Sequence, residues 1–402
     1  MRTVSQSAET AAGNLSGHLD RARLVDRLQT LVRTPSENPP GNEAAVADLV
    51  AGYCRDLGLD VALHEAEPGR PSVVARWTGA PGPTLAYCSH IDVVPVGDPA
   101  AWDRDPFSGA IEDGVLHGRG ACDAKGPVAA ALEAVAMLRS AGFEPAGTFE
   151  LELVADEETM GFKGAGYLVE RGIVHPDVAV VGEPTSLRLV RAQRGACWFR
   201  IATRGRATHG SAPERGVSAI RHMSEIVLRL EETLPDVTHP VLGAPSINVG
   251  TIRGGQKVNM VPDACVAEVD RRTVPPETKA SVQASIEAAI DLARTRFPDI
   301  DADVELAFFA GPFEVDEGSP VVSAVAAAIE DATGAPAELA GFRGASDARF
   351  LADAGAAVVV CGPGDIRLAH SVREHIDLAE LERGALAYGY AFARLLAPTS
   401  SS

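Results

Sequence analysis

Residues 84–95 have the sequence TLAYCSHIDVVP, a short apolar run followed at once by polar side chains. The run is rich in β-formers and predicts a buried strand, after which His90 and Asp92 come directly. Residues 148–154 (TFELELV) and 178–181 (VAVV) repeat the pattern, and carboxylates follow each of them. We therefore expect several strands that each carry a polar residue just beyond one end.

A helix is predicted between the first two of these strands. Gly126-Pro127 opens it, since proline suits a first helical turn, and Gly142 closes it. Apolar residues recur between them at helical spacing, at Val128, Leu132, Val135 and Leu138. Strands that alternate with helices predict an α/β fold with a mainly parallel sheet covered on both faces.

Residues 195–310 differ in character and interrupt this pattern. Strand-like and helix-like segments follow one another there in the order β-α-β-β-α-β, which predicts a small α+β domain. The first pattern resumes afterwards with helices near 319–332 and 347–354 and an apolar strand, AAVVVC (356–361). We therefore predict a catalytic domain over 1–194 and 311–402, with 1–19 as a loose tail, and an inserted domain over 195–310.

Composition narrows the class of protein. The formal net charge is −19, which argues against sequence-independent binding of nucleic acid. No apolar run approaches the length of a membrane span, and the first twenty residues lack the apolar core of a secretion signal. The six cysteines contain no Cys-x-x-Cys pair. We expect reduced thiols in a cytoplasmic protein with neither a nucleic-acid nor a membrane partner.

Metal-ligating residue types follow four of the predicted strands. Parallel strands present their carboxyl ends at one edge of a sheet, where ligands bind in open α/β folds. Asp123, just before the first helix, can join them there. The set comprises His90, Asp92, Asp123, Glu157, Glu158, Glu183 and His370.

Two imidazoles and several carboxylates suit zinc or a neighbouring divalent metal. Five ligands are too many for one catalytic zinc with an open position, whereas a carboxylate shared between two metals leaves room for an activated water. A further carboxylate must take the proton of that water, so Glu157 and Glu158 can divide the roles of base and ligand. Asp92 can orient the His90 ring. The chain has no HExxH, GxSxG or Walker-type motif that would indicate another chemistry.

Several ordered motifs resemble the M20 family of metallohydrolases, and within it the branch of acetylornithine deacetylases and succinyl-diaminopimelate desuccinylases. The resemblance runs from about residue 20 to the C-terminus. It rests on SHIDVVP (89–95), GRGACDAKG (118–126), DEE (156–158), VGEPTS (181–186), GASDARF (344–350) and HSVREH (370–375).

The resemblance implies two zinc ions per subunit, with cobalt or manganese as substitutes. His90 and Glu183 would bind one zinc, Glu158 and His370 the other, and Asp123 would bridge them.

The resemblance further implies that Glu157 is the general base and that Asp92 supports His90. It also implies a cis peptide bond after the bridging aspartate, at Asp123-Ala124. The inserted domain would serve as a lid and dimerisation domain. His209, in RATHGSAPERG (206–216), would reach the partner subunit of a homodimer and stabilise the oxyanion.

Residues that resemble substrate-binding positions of the family complete the expected site. Asn259 and Arg272 would hold the carboxylate or the acyl group of the substrate, and Arg suits such bidentate contacts. Arg349 and Gly344, in the GASDARF loop, are candidates for the same task.

The expected activity is removal of an acetyl-like or succinyl-like acyl group from the nitrogen of an amino acid. A dipeptidase or carboxypeptidase that uses the same metal centre is the alternative, because the bond cut is an amide in either case. A non-catalytic, metal-binding dimer would have lost its base or a metal ligand, and none of these residues is missing from the sequence.

Overall fold

The computed structural model describes residues 15–398. Contacts divide the chain into two compact units. The first contains the described residues up to Arg191, together with Val315–Ala340 and the residues from Ser346 onward. The second contains Ala192–Glu314 and Gly341–Ala345.

Sixteen strands occur in the described part of the chain. In chain order they are β1 Asp60–Glu65, β2 Pro71–Thr78, β3 Ala80–His90, β4 Ala110–Glu112, β5 Val115–His117, β6 Ala146–Val154, β7 Val178–Val181, β8 Leu189–Gln193, β9 Gly195–Arg204, β10 Ser246–Gly254, β11 Ala264–Thr273, β12 Asp301–Ala310, β13 Phe313–Glu314, β14 Leu339–Phe342, β15 Ala357–Val360 and β16 His375–Asp377.

Nine α-helices occur between residues 15 and 398. They are α1 Arg21–Val32, α2 Ala44–Asp56, α3 Lys125–Ser140, α4 Ala165–Glu170, α5 Ala219–Arg229, α6 Lys279–Arg294, α7 Pro320–Thr333, α8 Ala348–Asp353 and α9 Leu378–Leu395. Within these residues no helix is both long and apolar enough to cross a bilayer.

The central strands of the first unit are parallel and lie in the order β6-β3-β7-β15. Antiparallel strands flank them, with β2 beside β6 and β8 beside β15. Strands β1 and β2 pair antiparallel as a hairpin, because the five residues 66–70 between them cannot form the crossover that parallel strands need. The mixed, mostly parallel sheet confirms the predicted α/β class.

Helix α3 forms the centre of the core of the first unit. It begins at Lys125, one residue before the predicted start, and its residues from Lys125 to Leu138 are all buried. Helix α9 packs against α3 and α7, and Tyr388 and Phe392 of α9 contact Tyr87 of β3 edge to face. A helix buried on all sides needs small residues where its neighbours approach, which accounts for its many alanines.

The second unit contains a four-stranded antiparallel sheet in the order β10-β11-β9-β12. Helix α5 packs against β9 and β11, and α6 packs against β12 and α5. Their buried residues lie at helical spacing, as with Ala219, Met223 and Ile226 of α5. The elements follow one another in the predicted β-α-β-β-α-β order.

Two details differ from the sequence-based expectations. Residues 1–14 of the predicted loose tail (1–19) lie outside the described residues. For Leu15–His18 the prediction is wrong, because these residues form one turn of 3-10 helix. Leu15 is fully buried in the core, and that burial holds the turn in place. Residues 341–345 belong to the second unit, because the carbonyl of Phe342 accepts a hydrogen bond from the Arg194 amide (3.0 Å). The domain boundaries at 194/195 and 310/311 remain predictions.

Candidate active site

The carboxyl ends of the central strands bring the predicted polar residues to one edge of the sheet. His90 is the last residue of β3 and lies opposite Val154, the last residue of β6. Glu157 and Glu158 follow β6 by one turn, and Glu183 follows β7. These positions are what adjacent parallel strands predict for residues just beyond their ends.

Asp123 lies between two imidazoles. Its Oδ1 is 3.1 Å from Nε2 of His90, and its Oδ2 is 3.3 Å from Nε2 of His370. Nε2 of His370 is also 3.0 Å from Oε2 of Glu158. The bonds with Asp123 and Glu158 raise the pKa of His370 to about 10. The peptide bond between Asp123 and Ala124 is cis.

The His90 ring is held from its other side. Its Nδ1 lies 2.9 Å from the backbone carbonyl of Asp92, which can only accept a hydrogen bond, so Nδ1 donates. This contact directs Nε2 towards Asp123. A ring nitrogen held by a carbonyl on the far side is the usual arrangement for a metal-ligating histidine.

The Asp92 carboxylate fixes the turn that carries both glutamates. Its two oxygens accept hydrogen bonds from the backbone amides of Glu157 (3.3 Å) and Glu158 (3.2 Å). Asn38 donates to the same carboxylate at 2.8 Å. Asp92 therefore orients the turn as well as the His90 ring.

Negative charge is crowded in this cluster. Burial raises the pKa of Glu183 well above its usual range, and the charges of Asp123 and Asp347 add to the rise. Burial also raises the pKa of Glu157, with Glu183 as the next cause. A buried group of carboxylates at one point is costly unless cations neutralise it.

The residues fit a divalent metal. Ligand atoms of His90, Asp123 and Glu158 all lie within 4.8 Å of one another. Oε1 of Glu158 is buried and has no hydrogen-bond partner within residues 15–398, so it is available to a cation. Imidazole and carboxylate together are the ligand set that zinc and its neighbours prefer.

Three of the predicted substrate-binding residues, and His209, lie in the second unit. Asn259 and Gly344 are exposed and belong to the second unit, as does Arg272, whose Nε bonds Oδ2 of Asp270 at 3.0 Å. His209 is also in the second unit and is exposed, and its Nδ1 lies 2.7 Å from the hydroxyl of Ser211.

Arg349 lies in the first unit and is buried. It is 4% exposed, donates to the carbonyl of Met160 and stacks its guanidinium 4.4 Å from the Phe350 ring. These contacts hold the residue after the Glu157-Glu158 turn. A direct contact between Arg349 and the substrate stays a prediction.

Further buried residues around the cluster were not singled out from the sequence. Arg70 is buried and forms ion pairs with Asp156 (2.9 Å) and Glu43 (2.5 Å), which holds the start of the glutamate turn. Asn38 lies in PSENPPG (35–41), a loop that offers no periodic signal. Asp347 is buried, neither of its oxygens has a partner within the described chain, and burial raises its pKa to about 7.

Glu374 holds the segment that carries Asp123. Its Oε1 accepts from the backbone amides of Cys122 (3.3 Å) and Asp123 (3.2 Å), and its Oε2 accepts from Arg119. Arg119 also donates to the carbonyl of Ser371 at 3.3 Å, next to His370. This buried pair connects the segments of two predicted metal ligands. Its position four residues after His370, in HSVREH, was the available signal.

We predict a large loss of stability when the partner of Glu374 is removed. Arg119→Met would leave a buried carboxylate without its cation, and such a change costs about 3–5 kcal/mol of unfolding free energy. Both side chains are at most 2% exposed. Denaturant unfolding of the variant and the wild type would measure the difference.

The control is the same substitution in an exposed ion pair. Arg204 pairs with Asp303 on the surface, where both side chains are more than half exposed. Arg204→Met should cost about 1 kcal/mol or less. Equal losses in the two variants would contradict the assigned role of the Arg119–Glu374 pair.

The α/β sheet and the cluster of potential metal ligands at its edge are consistent with a metal-dependent enzyme. Residues 86–394 match the family described as Peptidase family M20/M25/M40. The chain belongs to this family, as the motifs predicted.

Two relatives with assigned activities are a desuccinylase and a deacetylase. The chain is 30% identical over 364 residues to a succinyl-diaminopimelate desuccinylase of Alkalilimnicola ehrlichii, an alignment that covers 88% of this chain and 94% of the relative. It is 30% identical over 376 residues to an acetylornithine deacetylase of Proteus mirabilis, with 89% and 93% covered. The chain is therefore a hydrolase of this family, as predicted.

The fold is similar to that of the aminopeptidase PepT from Bacillus cereus. The TM-score is 0.79 at 23% identity, and the match covers 94% of this chain and 100% of that one. At this identity the likeness concerns the fold alone.

Proposed function

We propose that the protein is a dinuclear zinc amidohydrolase that removes an acetyl-like or succinyl-like group from the nitrogen of an amino acid. The observation that carries the proposal is Asp123, whose two carboxylate oxygens face different imidazoles at 3.1 and 3.3 Å. A carboxylate in that position is suited to bridge two metals. The names of the curated relatives supply the substrate class.

His90 and Glu183 would hold one zinc, Glu158 and His370 the other, and Asp123 would contact both. Cobalt or manganese would substitute, because the same ligand types suit them. When bound, the two cations would polarise the amide carbonyl and lower the pKa of a water between them.

Glu157 performs the proton transfers in this proposal. It takes a proton from the attacking water and returns it to the leaving amine nitrogen, as general acid–base catalysis requires. Its backbone is fixed by Asp92 at 3.3 Å, so the carboxylate is positioned by the residue that also orients His90.

The second unit would supply the contacts that recognise the substrate. Arg272 and Asn259 would bind the carboxylate or the acyl group, and Gly344 would offer backbone contacts. His209 would stabilise the oxyanion in the active site of the partner subunit of a homodimer. Its ring is exposed and, within the described chain, hydrogen-bonds only Ser211 in the same loop, which supports a role outside its own subunit. All six cysteines are free and buried, which supports a reducing, cytoplasmic setting.

We predict that His209→Ala lowers kcat about 10²–10³-fold, as loss of an oxyanion donor does, and leaves the bound metal unchanged. Mixing this variant with Glu157→Gln tests whether His209 acts across subunits. Heterodimers would contain one site in which both residues are intact, so subunit exchange should restore up to about a quarter of wild-type activity. A mixture that stays inactive after demonstrated subunit exchange would overturn action in trans.

The substrate class is tested by release of primary amine from a panel of compounds. The protein would be stripped of metal and reloaded with zinc or cobalt, then given N-acetylornithine, N-succinyl-diaminopimelate, other N-acyl amino acids and several dipeptides. Metal-dependent release from an acyl amino acid supports the proposal. Preference for a dipeptide would replace it by the peptidase alternative, and two bound metals without any turnover would favour a non-catalytic role.

A further inference from the structure

Two histidines face each other on a small sheet of the first unit, outside the cluster described above. Strands β4, β5 and β16 form this sheet, and β16 pairs antiparallel with β5 so that His375 lies opposite His117. Their ring centroids are 5.4 Å apart and the ring planes meet at 43°. Directly opposed residues project from the same face of a sheet, so both imidazoles point to one side.

The hydrogen bonds of the pair leave ring nitrogens available as ligands. Nδ1 of His375 is 2.7 Å from the carbonyl of Arg373. Because a carbonyl only accepts, Nδ1 donates this bond, and Nε2 is the ring nitrogen that could ligate a metal. The His117 ring makes no hydrogen bond to any residue in the described part of the chain. Burial, together with the charges of Arg104 and His375, lowers the pKa of His117, which favours the neutral, ligating form.

The pair opens into a cavity of about 170 Å³. Exposed Asp103 and Asp105 line the same cavity, but within the described residues their carboxylates do not group with the two imidazoles as ligands, so water would complete the coordination of an ion there. Arg104 and Arg373 also line the cavity, and their positive charges disfavour binding of a cation there. Arg104 is bonded to Oε2 of Glu112 at 2.5 Å, which offsets part of its charge.

We propose that His117 and His375 bind one divalent transition-metal ion at a site separate from the catalytic cluster. Two imidazoles with carboxylate or water oxygens suit zinc, nickel and copper, whereas magnesium and calcium prefer oxygen ligands alone. None of the predicted catalytic ligands lines this cavity.

An ion in this position would connect two segments that carry catalytic ligands. Strand β5 ends at His117 and leads into the loop of Asp123, and His375 follows His370 closely in sequence. The amide of Gly118 already bonds the carbonyl of Glu374, so the two segments meet here. The ion would therefore stabilise the loops around the catalytic cluster without taking part in the reaction.

The test is a difference in zinc stoichiometry. Wild-type protein, His117→Gln and His375→Gln would be dialysed against the same free zinc concentration, and bound zinc per chain would be measured by elemental analysis. Both variants should bind one zinc fewer than the wild type. His175→Gln, which removes an exposed imidazole elsewhere in the first unit, should bind as much as the wild type.

Equal stoichiometry in wild type and both variants, or a loss in only one of them, would overturn the proposal. Anomalous scattering from wild-type crystals grown with zinc provides a measurement that needs no variant, and a peak between the two rings is expected. A map with zinc only at the catalytic cluster would also overturn it. Because the zinc measurement is a difference, it does not depend on how many ions the catalytic cluster holds or on the proposed activity.

Discussion

Glu157→Gln should lower kcat about 10²–10⁴-fold while the metal content of the protein stays unchanged. The substitution preserves the shape of the side chain but removes its ability to accept a proton from water. The carboxylate of Glu157 makes no ion pair with His90 or His370, unlike that of Glu158, which lies 3.0 Å from His370. Turnover of the best substrate and zinc per chain would be measured on the same preparation.

The matched control is Glu170→Gln, at the exposed end of α4 in the same stretch of chain. It should retain wild-type turnover. Substantial activity in Glu157→Gln would remove this residue from the role of base. A variant that loses metal as well as activity would make Glu157 a ligand, and the roles of the two adjacent glutamates would then be exchanged.

Asp123→Asn should abolish metal binding at the cluster and with it the activity. An asparagine keeps the shape of the side chain, but its neutral amide cannot supply two anionic oxygens to a pair of cations. Loss of metal assistance removes several kcal/mol of transition-state stabilisation, which corresponds to about 10³-fold or more in kcat/KM. Elemental analysis after dialysis and the same activity assay would measure both effects.

Asp113→Asn provides the control, because Asp113 is an exposed residue in the turn between β4 and β5, with a φ of 50° that asparagine tolerates. This variant should bind metal and turn over substrate as the wild type does. If Asp123→Asn kept two metals per chain, Asp123 would not be the bridge, and the dinuclear arrangement would need another shared ligand.

Much of the fold could be predicted from local patterns. The strand predicted at 178–181 is β7, and the helix predicted from Gly126 is α3 within one residue. A strand buried on both faces is a continuous apolar run, which makes it visible in the sequence. The one-residue difference for α3 is within the usual uncertainty of helix ends. The turn at Leu15–His18 was missed, because a single buried leucine gives no periodic signal.

The grouping of the proposed metal ligands could be predicted for a related reason. His90, Glu158, Glu183 and His370 follow separate strands, and parallel strands must end at one edge, so their meeting is implied by topology. Arg349 shows the limit of such reasoning. Its motif predicts a substrate contact, whereas its stacking on Phe350 and its bond to the Met160 carbonyl depend on packing and leave no signal in the sequence.

The sequence by itself therefore determined the α/β class, the order of elements in the inserted segment, and the residue types that meet at the edge of the sheet. These properties depend on period, turn residues and chain order, all of which are local. Only the tertiary structure decided that Asn38 holds Asp92, that Glu374 and Arg119 connect the segments of Asp123 and His370, and that His117 faces His375. Such contacts join residues far apart in the chain through backbone groups and strand register, which leave no pattern in a single sequence.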